Sequence, residues 1–190
     1  MAGRRGAARV RWVALLRGIN VGRAKRVAMA DLRVVIEELG FGEVRTLLNS
    51  GNVVFTAPGS GRGNPAARIE KAVAEKLGVS SRVTALTAED LGTIVSENPL
   101  GGVADNPSRL MVTIAMDAAD LAQLQPVVRK AWAPEVLAVG SRAAYLWVPD
   151  GIADSLAFAA VAKILGDGAT TRNWATILKL HALVAEPVSR

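Results

Sequence analysis

Three short segments place basic, amide and hydroxyl side chains beside glycine or a helix start, where a backbone presents N–H groups to an anion. They are LLRGINVG at Leu15 to Gly22, SGNVVF at Ser50 to Phe55, and TTRNWATILKL at Thr170 to Leu180. In the first, Gly18 and Gly22 free the backbone to approach a phosphate, and Arg17 can supply charge-assisted hydrogen bonds. Asn20 serves either that ligand or the amides of its own loop. In the third, Thr170 or Thr171 is read as a helix cap, which puts Arg172 and Asn173 in the first turn at the positive end of the helix dipole. A cation there disfavours the helix by ~0.3 to 1 kcal/mol. Arg172 is therefore expected to meet an anion, either a bound ligand or an internal carboxylate such as Asp150 or Asp154. Trp174 reads as core, or as an indole on which a base can stack.

The remaining chemistry is sparse. Ser50, Gly51 and Asn52 suit a tight hairpin without any ligand. Ser50 as a nucleophile needs a base, and the sole histidine, His181, lies on an apolar stretch with Leu178, Leu180 and Leu183. Residues Gly59 to Asn64 imitate a G-x-G-x-x-G loop but end in Asn, and read as a flexible surface loop. One histidine, no cysteine and scattered acids give no metal cluster, and no cofactor is expected. Glu37-Glu38 and Glu89-Asp90 are neighbours in helices and do not share a face.

Positioning these groups requires a particular order of elements. Val10 to Arg17 reads as a strand, Met29 to Leu39 as a helix stopped by Gly40, and Val44 to Leu48 with Asn52 to Thr56 as a hairpin. Asn64 caps and Pro65 starts a helix that ends at Gly78, and Arg82 to Leu86 is a short strand. A further helix runs from a capping box at Thr87 and Asp90 to Glu97, before Asn98-Pro99. The order then restarts: strand Arg109 to Met116, helix Ala118 to Ala131, hairpin Val136 to Gly140 with Ala143 to Val148, helix Ile152 to Leu165. A C-terminal helix from Thr171 to about Ala185 is read in place of a last strand. The predicted fold is α+β, two ferredoxin-like β-α-β-β-α-type halves with mainly antiparallel sheets and a C-terminal helix. The expected division is a basic arm over residues 1–9, a first subdomain over 10–100 and a second over 108–190.

With 190 residues, 51% hydrophobic, the chain has ample material for a core. Its net charge of +6 is uneven: residues 1–26 carry eight basic groups and no acid, whereas the other 164 carry 15 basic and 17 acidic. The basic arm can touch phosphate backbones nonspecifically, or can simply be a solvated tail. No apolar run approaches the ~20 residues that span a bilayer, and the start lacks a signal-peptide pattern, so a cytoplasmic location is expected.

RGINVG after the first strand, SGNVVF at the first hairpin, Asn98-Pro99, and TTRNW before an apolar helix together resemble the bacterial family catalogued as domain of unknown function 1697. The resemblance covers about Val10 to Leu183 and implies single chains of two ferredoxin-like subdomains with no established reaction. Two positions depart from that family's pattern: Asp150 to Ser155 lacks the lysine of a Gly-x-Ser-Lys stretch, and Ala175 stands where a second Asn is usual.

The leading functional expectation is noncatalytic binding of a phosphate-bearing ligand, a nucleotide or nucleic acid, through Arg17, Gly18, Asn20, Arg172 and Asn173, with Trp174 available for stacking. The alternatives are an enzyme acting on a small phosphorylated metabolite and a structural or protein-interaction module whose motifs are packing devices. Eight aromatics in total, with Tyr145 the only tyrosine, are few for a sheet that stacks RNA bases.

Overall fold

A computed structural model describes residues 9–21, 26–58 and 63–186. The basic arm before Arg9, the residues 22–25 and most of the glycine-rich loop at 59–62 lie outside the described residues. The chain divides into two compact units, the first ending at Ala88 and the second beginning at Glu89.

In the first unit, β1 (Arg9–Leu16) is followed by α1 (Met29–Glu38), β2 (Gly42–Leu47), β3 (Asn52–Pro58), α2 (Ala66–Leu77) and β4 (Val83–Thr87). The strands pair antiparallel in the order β2-β3-β1-β4, the split β-α-β pattern of a ferredoxin-like fold. Being central, β1 is apolar on both faces: Val13, Ala14, Leu15 and Leu16 are all fully buried. Ala14 and Leu16 join Val53 and Phe55 beneath Leu32, Val35 and Ile36 of α1 and Ile69 and Val73 of α2. Phe55 stacks on Phe41 at 4.7 Å, and the Arg68 guanidinium covers the Phe41 ring at 4.8 Å. Truncating such a buried aromatic costs ~3 to 5 kcal/mol. Arg9, assigned to the arm by sequence, instead opens β1 and donates to the Thr56 hydroxyl at 3.0 Å.

The second unit repeats the plan. It begins with α3 (Ala88–Ser96), then β5 (Leu110–Ala115), a 3-10 segment at Ala118–Leu124 leading into α4 (Gln125–Val128), and the hairpin β6 (Val136–Val139) and β7 (Ala143–Trp147). It closes with α5 (Leu156–Leu165), β8 (Ala169–Asn173) and α6 (Trp174–Ala185). Its strand order, β6-β7-β5-β8, matches that of the first sheet. The fold is thus α+β, two ferredoxin-like units with antiparallel sheets and a C-terminal helix.

Two expectations are corrected in detail. Thr170 to Asn173 form the final strand rather than a helix start: Thr171 lies opposite Thr113 of β5, and their hydroxyls hydrogen-bond at 2.8 Å. The helix expected over Ala118 to Ala131 is broken into a 3-10 segment and one α-turn, because Pro126 has no N–H to continue the ladder. The boundary between the two compact units falls at the start of α3. The cause is visible in the bonds α3 and its C-terminal extension make: Tyr145 donates to Ile94 O at 2.7 Å, Glu97 accepts from the Ser141 N–H at 2.8 Å, and Asp90 pairs with Arg142 at 3.1 Å. Burial, reinforced by Glu97, pushes the Tyr145 hydroxyl well above the usual tyrosine range.

Candidate functional site

The first two motifs meet at one end of the first unit. Beyond β1 the ladder continues briefly, with the Arg17 N–H donating to Arg82 O at 2.9 Å and the Ser81 hydroxyl donating to Arg17 O at 2.9 Å. The chain then turns through two left-handed residues, Gly18 at φ +67° and Asn20 at φ +56°. Between them Ile19 is driven into the core at 1% exposure. Gly51, at φ +74°, is held against it: a Cβ there would stand 2.7 Å from Ile19 Cδ1 and 2.8 Å from Leu16 Cβ. Glycine is required here for both conformation and space.

Amide side chains fasten the two loops together. Asn20 donates from Nδ2 to Val27 O and to Asn49 O, and its Oδ1 accepts from the Val27 N–H, each at 2.8 Å. Asn52, fully buried, donates to Leu47 O and to the Ser50 hydroxyl oxygen, both at 2.9 Å, closing the β2–β3 turn. The resulting platform ends at α1, whose N-cap residue, Ala28, has no side chain able to cap. The first-turn N–H groups of a helix have no acceptor within it, and at α1 no N-cap side chain takes one; the same turn carries the acidic Asp31. An open cavity of about 500 Å³ lies at this point, lined by Asn20, Arg26, Val27, Ala28, Met29 and Asn49. Arg26 is exposed there. By sequence it is one more charge in the basic N-terminal stretch, and its position two residues before the N-cap residue Ala28 is the signal that would have singled it out.

The third motif is built differently. Asn173 is the N-cap of α6, accepting from the Thr176 N–H at 2.9 Å and from the Thr176 hydroxyl at 2.7 Å. The Ala175 N–H is taken by Pro107 O at 3.1 Å. Arg172 lies in β8 opposite Val112, half-buried, and donates to the Thr170 hydroxyl at 3.1 Å and to Thr171 O at 2.9 Å. Burial pulls its guanidinium down to about 10, so the folded state holds this charge less readily than the unfolded chain does. Asp150 and Asp154 line a cavity in the same unit. Trp174, the first residue of α6, is half-buried.

Arg17, Gly18, Asn20 and Ser50 thus belong to the first unit, and Arg172, Asn173, Trp174 and His181 to the second. His181 Nε2 lies 3.9 Å from where a Cβ on Gly92 would stand. Among the described residues no group of three or more His, Asp or Glu could hold a metal ion, and no helix is long and apolar enough to cross a membrane.

Residues 10–145 match the model of a family described as "Protein of unknown function (DUF1697)". That span contains RGIN and SGN and ends before TTRNW. A similar solved structure is described as "The structure of conserved bacterial protein SP0830 from Streptococcus pneumoniae". It is 23% identical, with a TM-score of 0.71 over 93% of this chain and 99% of that one, a likeness of fold. No curated protein matches the chain.

Proposed function

From the premise that this chain belongs to the DUF1697 family of proteins of unknown function, we propose that it is a noncatalytic binding protein for a phosphate-bearing ligand, a nucleotide or nucleic acid, held at the start of α1. The observation that carries this reading is the open cavity of about 500 Å³ at a helix N-terminus with no side-chain cap. The positive end of the α1 dipole favours an anion, and Arg26 adds a full charge at the mouth. Arg17 and Gly18 form the base of the same loop, and Asn20 holds that loop to Asn49. Arg172, Asn173 and Trp174 contribute less in this reading, because Asn173 and Pro107 already occupy N–H groups at the start of α6.

One rival reading has a specific observation behind it. All three hydrogen bonds of the Asn20 side chain run to its own unit, which is what a packing device requires. Calorimetric titration of the whole chain with inorganic phosphate, a nucleoside monophosphate and a short single-stranded RNA separates the two. Binding that falls about tenfold in Arg26→Ala, with unchanged melting temperature, supports the anion site. Absence of binding by all three probes, or an Arg26→Ala protein that binds as the parent does, leaves RGIN and SGN as parts of the fold.

A further inference from the structure

The second unit contains a cavity that plays no part in the phosphate reading. It is about 430 Å³, within the range of small-molecule sites, and lies between two loops, Ala131 to Glu135 before β6 and Asp150 to Leu156 before α5. One wall is apolar, with Trp132, Pro134 and Leu156; the rest carries three carboxylates, Glu135, Asp150 and Asp154, and no basic residue.

Two of the three carboxylates, Asp150 and Asp154, are not used in closing the local fold. The start of α5 is satisfied by Ser155, which accepts from the Phe158 N–H at 2.9 Å, and by Glu135, which accepts from the Ala157 N–H at 3.2 Å. Asp150 and Asp154 are exposed, and neither carboxylate has a hydrogen-bond or ion-pair partner among the described residues. Leu156 is 74% exposed at the first position of α5, although an apolar side chain there gains nothing from water. Trp132 is fixed by its indole N–H, which donates to Val127 O at 2.8 Å. Its ring already accepts one cation, Lys130 Nζ at 5.9 Å. Neither Lys130 nor Arg109, whose guanidinium lies beside Gly151, lines the cavity.

We infer that this cavity binds a small organic cation, an ammonium or guanidinium group carried on an apolar body. The unpaired carboxylates take the charge, while Trp132, Pro134 and Leu156 cover the body. A bare metal ion would leave the apolar wall unused, and an anion would meet three carboxylates with no basic side chain among the lining residues.

Titration of isotope-labelled protein with phenethylamine, following the Trp132 indole N–H resonance identified by Trp132→Phe, tests this directly. The expected result is a saturable shift, at least about tenfold weaker for phenethyl alcohol, the neutral analogue of the same shape. The Asp150→Asn/Asp154→Asn double variant, altered only at exposed positions, is expected to keep its melting temperature and lose about tenfold in amine affinity. Leu156→Ala should weaken amine and alcohol alike. No saturable shift, equal affinity for amine and alcohol, or undiminished affinity in the double variant each overturns the assignment.

Discussion

The start of α1 and the start of α6 carry similar residues, an arginine and an asparagine close to a helix, yet they are opposite in construction. At α6 the asparagine is itself the cap, and Pro107 O takes a further N–H, so the helix is closed by its own unit. At α1 the asparagine is drawn away to hold a neighbouring turn, and an alanine stands at the cap position. What distinguishes the proposed anion site from a closed helix start is therefore not the residue types in the motif. It is whether the amide side chain reaches the helix N–H groups or something else.

Four substitutions break or sharpen that contrast. Gly51→Ala should have the largest effect, about 3 kcal/mol in denaturant melts, since its Cβ collides with Ile19 and Leu16 and the left-handed backbone disfavours it. Asn20→Ala removes the donors to Val27 O and Asn49 O and the acceptor of the Val27 N–H, and is expected to cost about 2 kcal/mol and to weaken phosphate binding with it. Asn173→Ala removes only a cap, about 1 kcal/mol, and should leave phosphate affinity untouched. Ala28→Asp gives α1 the cap that α6 has, and should stabilise the protein by about 1 kcal/mol while reducing phosphate affinity about tenfold. A more stable Ala28→Asp protein with unchanged affinity would place the anion elsewhere.

A pH titration gives a smaller effect, separate from both helix starts. The Tyr145 hydroxyl ionises less readily folded than unfolded, so its contribution is full below pH ~10, the ordinary tyrosine value, and is lost as pH rises beyond it. Tyr145→Phe should remove that alkaline share of the slope. It should also cost about 1 kcal/mol at neutral pH through loss of the bond to Ile94 O.

Elements with strong apolar period were legible from sequence. The helix read at Met29 to Leu39 forms at Met29–Glu38, and both hairpins form where glycine or a polar turn separates apolar runs. The last strand was not, because threonine is apt both as a cap residue and as a strand residue, and Asn173 reads only as a cap; a partner strand decides, and β5 supplies it 58 residues earlier at the Thr113–Thr171 bond. The same limit applies to the site. The residue type at position 20 announces a loop amide, but its three hydrogen bonds, two to Val27 and one to Asn49 in a separate hairpin, are set by tertiary contact alone. Arg26 was visible only as charge, since an uncapped helix start is defined by what Ala28 lacks.

The strand order carries a consequence for synthesis. In each sheet the central strand pairs on one side with the last strand made, β1 with β4 and β5 with β8. On the ribosome the first sheet can be completed once Thr87 has emerged, whereas the second waits for Ala169–Asn173, close to the end of the chain. Until then one edge of β5, an apolar strand of sequence LMVTIA, has no partner and is open to pairing with another chain. Nascent chains stalled before β8 should therefore be the aggregation-prone and chaperone-dependent ones, and chains stalled just after β4 should not.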